Sequence, residues 1–142
     1  MMLLDLLLPS GIGFLMEKEL KSLDMLDNPK RPFYVIMGGA KVSDKIEVIN
    51  SLIDKVDKLF IGGAMCFTFL KSKNINIGAS LVEDNLLEYC SNLLEKYKDK
   101  IILPIDVNGA FSFNSETPLE NYSIMNIPTT FIGMDIGKKS VE

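Results

Sequence analysis

The stretch FYVIMGGAKVSDKIEVI, residues 33–49, decides the fold that we expect for this chain. It opens with Phe33 to Met37, an uninterrupted apolar run rich in β-branched and aromatic side chains, which is typical of a buried strand. A glycine pair ends the run, and apolar residues at helical spacing follow from Ser43 onward. The stretch therefore predicts a strand–loop–helix unit of an α/β protein.

The same order of elements recurs along the chain. Residues 58–61 are a second short apolar run that ends at another glycine pair, with a helix expected at 64–71. A clear amphipathic pattern predicts a helix over 84–98, and strands are expected at 101–107, interrupted by Pro104, and at 130–135. Residues 108–128 are rich in Asn, Ser and Pro and indicate mainly loop. We therefore expect a parallel sheet, with the first strand central, the second beside it, and both glycine loops at one edge.

The composition excludes several classes of function. The 142 residues include 15 Lys and Arg, 19 Asp and Glu and no His, which gives a net charge of −4. Histidine bases, Ser-His-Asp triads and His-ligated zinc are excluded within this chain. The acidic balance disfavours nucleic acid as a partner, and the apolar start MMLLDLLL is too short to span a membrane, which takes about 20 residues. Cys66 and Cys90 have no metal-ligand spacing, so we expect two reduced, buried thiols in a cytoplasmic protein.

The loop after the first strand combines small residues with two lysines. A helix N-terminus follows it and should offer free N–H groups, and Lys41 and Lys45 stand four residues apart, on one side of the first turn. These features describe a phosphate site, but they describe equally well a tight turn followed by two solvated lysines. The loop is not a Walker A motif, and the dinucleotide fingerprint that begins at Gly11 and Gly13 fails at Met16.

The second loop, Gly62-Gly63-Ala64, leaves two interpretations open as well. Its backbone could form a flat wall against a planar ring, or it could be a plain turn that lets helix and strand pack closely.

A series of motifs resembles the phosphoglycerate kinase family. The matching segments follow the family's order and approximate spacing from about Leu8 to Glu142: GFLMEKEL (13–20), GGAKVSDK (38–45), IGGAM (61–65), FTFLK (67–71), IG (77–78), SL (80–81), LPID (103–106) and GMDIG (133–137). The ordered series is specific, whereas a single glycine pair is not.

The resemblance implies both a fold and an activity. The fold would be a Rossmann-like, three-layer αβα arrangement with a mostly parallel sheet, here incomplete. The activity would be phosphoryl transfer between 1,3-bisphosphoglycerate and ADP, giving ATP and 3-phosphoglycerate in glycolysis. By resemblance, Lys41 and Lys45 are the catalytic residues and contact the nucleotide phosphates. The adenosine pocket would be lined by Gly39, Ala40, Gly63, Ala64, Leu81 and Met134.

The same resemblance suggests how the chain is organised. Residues 1–9 are an apolar segment that precedes the domain. Residues 10–27 would form an inter-domain-type helix, with Ser10 as its expected N-cap, and residues 28–142 would form part of a nucleotide-binding α/β domain. The family's phosphoglycerate-binding domain, its later G-G-G-D-[ST] loop and its ribose-binding Glu have no counterpart here. We therefore expect Mg²⁺ to be held mainly by the ATP or ADP and by those parts.

Three positions depart from the family's pattern. Ala64 stands where a third glycine is usual, Met134 where Leu is usual, and Lys138 where Pro is usual.

These observations leave three hypotheses about function. The first is a phosphoglycerate kinase-like phosphotransferase that is inactive as this chain alone, and the second is a non-catalytic, nucleotide-binding remnant. The third is a doubly wound dehydrogenase domain, but the chain lacks the glycine fingerprint by which such domains bind dinucleotides. Adenine nucleotide is the expected partner, and 3-phosphoglycerate would bind only with the absent domain. Full-length relatives in this family are usually monomeric, but this chain alone is expected to be marginally stable or to self-associate.

Overall fold

The computed structural model describes residues 11–24, 26, 29–114 and 116–142. The chain divides into two compact units, Met1–Arg31 and Pro32–Glu142. The first contains helix α1, Phe14–Asp24, in which Lys21 and Glu17 form an ion pair at 2.5 Å. A helix was predicted here, and its expected cap, Ser10, lies outside the described residues. The inter-domain role of this helix stays a prediction.

The second unit is built on a three-stranded parallel sheet. Its strands are β1 (Tyr34–Met37), β2 (Lys58–Ile61) and β3 (Ile101–Ile102), in the order β1-β2-β3. The predicted parallel sheet is confirmed, but the prediction that the first strand is central is wrong for the described residues. β2 is central because it pairs with β1 on one side and with β3 on the other. Strand order depends on which edge the third strand reaches, and local sequence does not encode that choice.

Helices cover one face of this sheet. They are α2 (Ile46–Leu52), α3 (Cys66–Ser72) and α4 (Leu87–Lys96), and 3-10 turns at Ser43–Lys45 and Asp84–Leu86 lead into α2 and α4. Successive side chains of β2 alternate between the two faces of the sheet. Leu59 and Ile61 are buried on the helix-covered face, whereas Phe60 points to the other face. On the other face, Ser140 of α5 (Lys138–Val141) lies near Ile36 and Phe60, so the described residues only begin a second helical layer and the α/β fold is incomplete.

A second, antiparallel sheet was not predicted. Strand β4 (Asp106–Ala110) lies between β5 (Glu120–Ser123) and β6 (Ile132–Ile136). The expected strand at 101–107 is divided into β3 and β4, with Pro104, which has no N–H to donate, in the connection between them. The expected loop at 108–128 contains the end of β4 and all of β5, whose polar sequence gave no strand signal.

Candidate functional site

The two glycine loops lie against each other at the carboxyl ends of β1 and β2, as predicted. The N–H of Met65 donates to the carbonyl of Gly39 at 2.8 Å, and that of Gly62 donates to the carbonyl of Met37 at 2.8 Å. Gly63 has a left-handed backbone with φ of 63°. A Cβ there would lie 2.6 Å from the nitrogen of Gly39, so only glycine allows this approach.

Asp135 fixes the second loop to strand β6. Its Oδ1 accepts hydrogen bonds from the N–H of Gly63 at 3.0 Å and from the N–H of Ile136 at 2.8 Å. Sequence reasoning quoted Asp135 within a motif but gave it no role. The sequence signal that could have pointed to this role is a single acidic residue near the end of a predicted strand.

An apolar cavity of about 380 Å³ opens beside these loops. Four residues expected to line the adenosine pocket line it: Ala40, Ala64, Leu81 and Met134. The other two, Gly39 and Gly63, form the loop contact next to it. The remaining lining residues were missed: Ala79, Phe113, Ile132 and Gly133. Phe113, which is 81% exposed, could have been suspected as a large aromatic residue in a polar loop.

The cavity wall at Gly133 is tightly constrained. The Gly133 N–H donates to the Ser80 hydroxyl at 2.9 Å, and that hydroxyl donates to the carbonyl of Ile77 at 2.5 Å. A Cβ on Gly133 would overlap the ring of Phe67, which is fully buried. The wall is therefore both flat and fixed.

The two lysines of the first loop lie in different surroundings. Lys45 is half-buried, and its Cε lies 3.5 Å from the position that a Cβ on Gly39 would take. Lys41 is exposed, and its charge acts on Glu83. Neither lysine lines the cavity, and their contact with nucleotide phosphates stays a prediction.

The helix start after the first loop is occupied, which corrects the expectation of free N–H groups there. Oε2 of Glu83 accepts from the N–H of Val42 at 2.6 Å and from the N–H of Ser43 at 3.1 Å, and the Ser43 hydroxyl donates to Oε1 at 2.6 Å. A carboxylate 40 residues away in sequence satisfies these donors, so no local pattern could have shown it.

Hydrogen bonds hold the pKa of Glu83 below its ordinary value. Burial alone would raise that pKa, but the hydroxyl and N–H of Ser43, the N–H of Val42 and the charge of Lys41 together outweigh it. Glu83 is therefore an anion at neutral pH.

Both cysteines are free and buried, as predicted. Burial, and then the charge of Asp135, raises the pKa of Cys66 to about 12. Burial, followed by the charge of Glu83, raises the pKa of Cys90 to about 12. Both thiols are protonated at neutral pH, which makes them unreactive as nucleophiles.

The described ranges contain neither a metal-binding cluster nor a membrane-spanning helix. No group of three or more His, Cys, Asp and Glu side chains there is arranged to hold a metal ion. No helix in the described part of the chain is long and apolar enough to cross a membrane. A larger groove, about 620 Å³, lies between α3, α4 and β3, and no predicted site residue lines it.

The comparisons with known proteins agree with the motif series. The family model described as phosphoglycerate kinase matches residues 1–142. The chain belongs to the phosphoglycerate kinase family. It is 51% identical to the phosphoglycerate kinase of Fusobacterium nucleatum over 133 residues, which are 93% of this chain and 33% of the relative. The enzyme of Enterococcus faecalis is 45% identical over 95% of this chain and 34% of its own length.

Solved structures of this family share the fold. Phosphoglycerate kinase from Coxiella burnetii superposes with a TM-score of 0.83 and 33% identity, covering 89% of this chain and 34% of the other. The enzyme of Pyrococcus horikoshii, with a TM-score of 0.74 and 21% identity, supports the fold alone. The chain thus spans about a third of the length of the phosphoglycerate kinases that it matches.

Proposed function

We propose that the chain binds the adenosine part of an adenine nucleotide in the apolar cavity. The observation that carries this proposal is the cavity itself, which small residues line beside two interlocked glycine loops. A planar base needs close approach to backbone and a flat apolar wall. Ala64 and Gly133 provide such surfaces, and Leu81 and Met134 supply apolar contact.

Lys41 and Lys45 are the proposed ligands of the nucleotide phosphates. Lys45 lies over the first loop, and Lys41 is exposed close by along the same turn. Phosphoryl transfer depends mainly on positioning and on neutralising charge, which lysine ammonium groups can do. Their catalytic role rests on the family resemblance.

Mg²⁺ accompanies the nucleotide in the proposed reaction. The described residues gather no acidic cluster for it, and carboxylates are the protein ligands that this ion prefers. Because Mg²⁺ keeps several waters and is usually held by one or two carboxylates together with substrate phosphates, the nucleotide phosphates are its main proposed ligands here.

The complete activity proposed is phosphoryl transfer between 1,3-bisphosphoglycerate and ADP, a cytoplasmic step of glycolysis. The chain would contribute the nucleotide side, and 3-phosphoglycerate would bind only with the family's other domain. The alternative is a remnant that binds nucleotide without catalysis. We expect no turnover from this chain alone in a coupled assay, and measurable turnover would exclude the remnant.

Calorimetric titration with ADP and with adenosine tests the binding site. Ala64→Leu should weaken both ligands about tenfold or more, because its side chain fills the cavity. Lys45→Ala should weaken ADP and leave adenosine unchanged, because adenosine carries no phosphate. Lys73→Ala, in the other groove, is the matched control and should change neither. Absence of ADP binding by the unsubstituted chain would contradict the proposal.

The catalytic role of Lys45 needs a complete enzyme. We expect the corresponding substitution to alanine in the Fusobacterium nucleatum relative to lower kcat far more than it weakens nucleotide binding. The reason is that the lysine acts mainly on charge that develops during transfer. An unchanged kcat would contradict the catalytic role and would indicate that Lys45 is a solvated lysine without a part in the reaction.

A further inference from the structure

Glu83 lies where three parts of the candidate site meet. Its carboxylate holds Val42 and Ser43 of the first loop, as described above. Its own N–H donates to the hydroxyl of Thr68 at 3.2 Å. Two residues earlier, Leu81 lines the cavity. One residue thus connects the lysine loop, a helix and the cavity wall.

The connection to the first loop is geometrically specific. Both carboxylate oxygens of Glu83 are used, which fixes the plane of the group as well as its position. Val42 is fully buried and cannot shift without disturbing the core. Because Lys41 directly precedes Val42, the bond to the Val42 N–H fixes the backbone from which the lysine side chain extends.

The connection to the helices is equally direct. Thr68 is buried within α3, the helix that follows the second glycine loop. Lys71 of the same helix forms an ion pair with Asp84 at 2.7 Å, so the residue after Glu83 is also anchored to α3. The segment 81–84 is therefore held against α3, the helix that begins two residues after Ala64 of the cavity lining.

We propose that Glu83 is a positioning residue that fixes Lys41 at the phosphate end of the nucleotide site. This inference rests on the proposed nucleotide binding. Glu83 also closes the start of the helix, so an anion reaches lysine side chains there instead of the N–H groups of Val42 and Ser43. It touches neither the cavity nor, on this proposal, the nucleotide.

The test compares ADP with adenosine in single and double variants of the whole chain. Glu83→Ala should weaken ADP about tenfold, roughly the loss of one charged contact, and leave adenosine unchanged. Lys41→Ala should have a similar effect. Because one residue acts through the other, the double variant should lose little more than Lys41→Ala alone.

Two further variants separate position from charge. Glu83→Gln keeps an oxygen that can accept from the Val42 N–H, so ADP affinity should stay within about threefold of the unsubstituted chain. Glu88→Ala removes an exposed carboxylate on α4 that takes no part in these contacts, and it serves as the matched control, with ADP affinity expected to be unchanged. If Glu83→Ala does not fold, as judged by circular dichroism, Ser43→Ala replaces it in the same double-variant scheme, because it removes one of the hydrogen bonds that fix the carboxylate.

Each outcome decides between distinct conclusions. A chain that binds no ADP overturns the proposed function and this inference with it. A chain that binds ADP, but whose Glu83→Ala variant binds ADP equally or more tightly, overturns this inference alone. Equal losses for ADP and adenosine would show that Glu83 serves only to stabilise the fold, and additive losses in the double variant would show that it acts independently of Lys41; either result overturns this inference.

Discussion

Gly63 shows how a single residue can hold two loops together. Its φ of 63° suits glycine, and a Cβ there would lie 2.6 and 2.7 Å from the backbone nitrogen and oxygen of Gly39. These are backbone atoms, so relief would require moving a whole loop. The close approach that makes room for a planar ligand therefore leaves no space for a side chain.

We expect Gly63→Ala to destabilise the chain by about 2–4 kcal/mol, from the left-handed backbone and from the overlap combined. The neighbouring glycine offers a matched control, because a Cβ on Gly38 would lie 3.7 Å from its nearest contacts. Gly38→Ala should cost less than about 1 kcal/mol. Urea unfolding of the two variants checks this, and equal midpoints would contradict it.

At the scale of elements, Asp106 joins strand β4 to helix α5. Its buried carboxylate accepts hydrogen bonds from the N–H groups of Lys139 and Ser140, from the Ser140 hydroxyl and from the Asn121 amide. Burial alone would raise its pKa, but these hydrogen bonds bring the pKa below the ordinary value. Asp106 thus caps a helix of four residues that could not persist alone.

This cap predicts a pH dependence of stability. A lowered pKa means that the contribution of Asp106 is complete above the unfolded pKa, about 3.9, and is lost as pH falls through the folded pKa. Asp106→Asn should cost about 1–3 kcal/mol at pH 7, and the gap to the unsubstituted chain should narrow below about pH 4. Asp99→Asn, at an exposed position, is the control. A gap that does not change between pH 3 and pH 7 would refute this assignment.

The elements also show what could be predicted from the sequence. β1, β2 and α4 were found because apolar residues at strand or helix spacing mark them locally. The end of β4 and all of β5 were missed because their residues, NGA and ENYS, are polar or small. Their stability comes from long-range contacts such as the Asp106 network and the edge-to-face contact of Tyr122 with Phe131, with ring centroids 4.9 Å apart.

In the candidate site too, some residues could be predicted from the sequence and others could not. Ala40, Ala64, Leu81 and Met134 were anticipated through motifs that resemble a family. The cap by Glu83 was not anticipated, because its partners are 40 and 41 residues away in sequence. Long-range side-chain to backbone hydrogen bonds have no periodic signature, so only a three-dimensional structure reveals them.

At the scale of the whole molecule, the parallel sheet has one largely uncovered face and, within the described residues, an open edge. Ile36 is 81% exposed and Tyr34 is 56% exposed, and the Tyr34 and Phe60 rings contact edge to face at 6.2 Å. Within the described residues β1 pairs only with β2, so its other edge has no strand partner. Parallel sheets are ordinarily covered on both faces, and open apolar edges recruit other chains.

We therefore expect the chain alone to self-associate through this face, with a second copy as the partner. We also expect its thermal melting temperature to be low. Sedimentation velocity should show an apparent mass that rises with concentration. Ile36→Lys should abolish that rise, because a charge on the exposed face opposes its burial, while leaving the circular dichroism spectrum unchanged. Val48→Lys is the control, because Val48 is also an exposed apolar residue, 44% exposed, but lies on α2 away from this face. The apparent mass of this variant should rise with concentration as that of the unsubstituted chain does. A monomer at all concentrations with a sharp, high-temperature melt would show instead that this sheet is stable with one face uncovered.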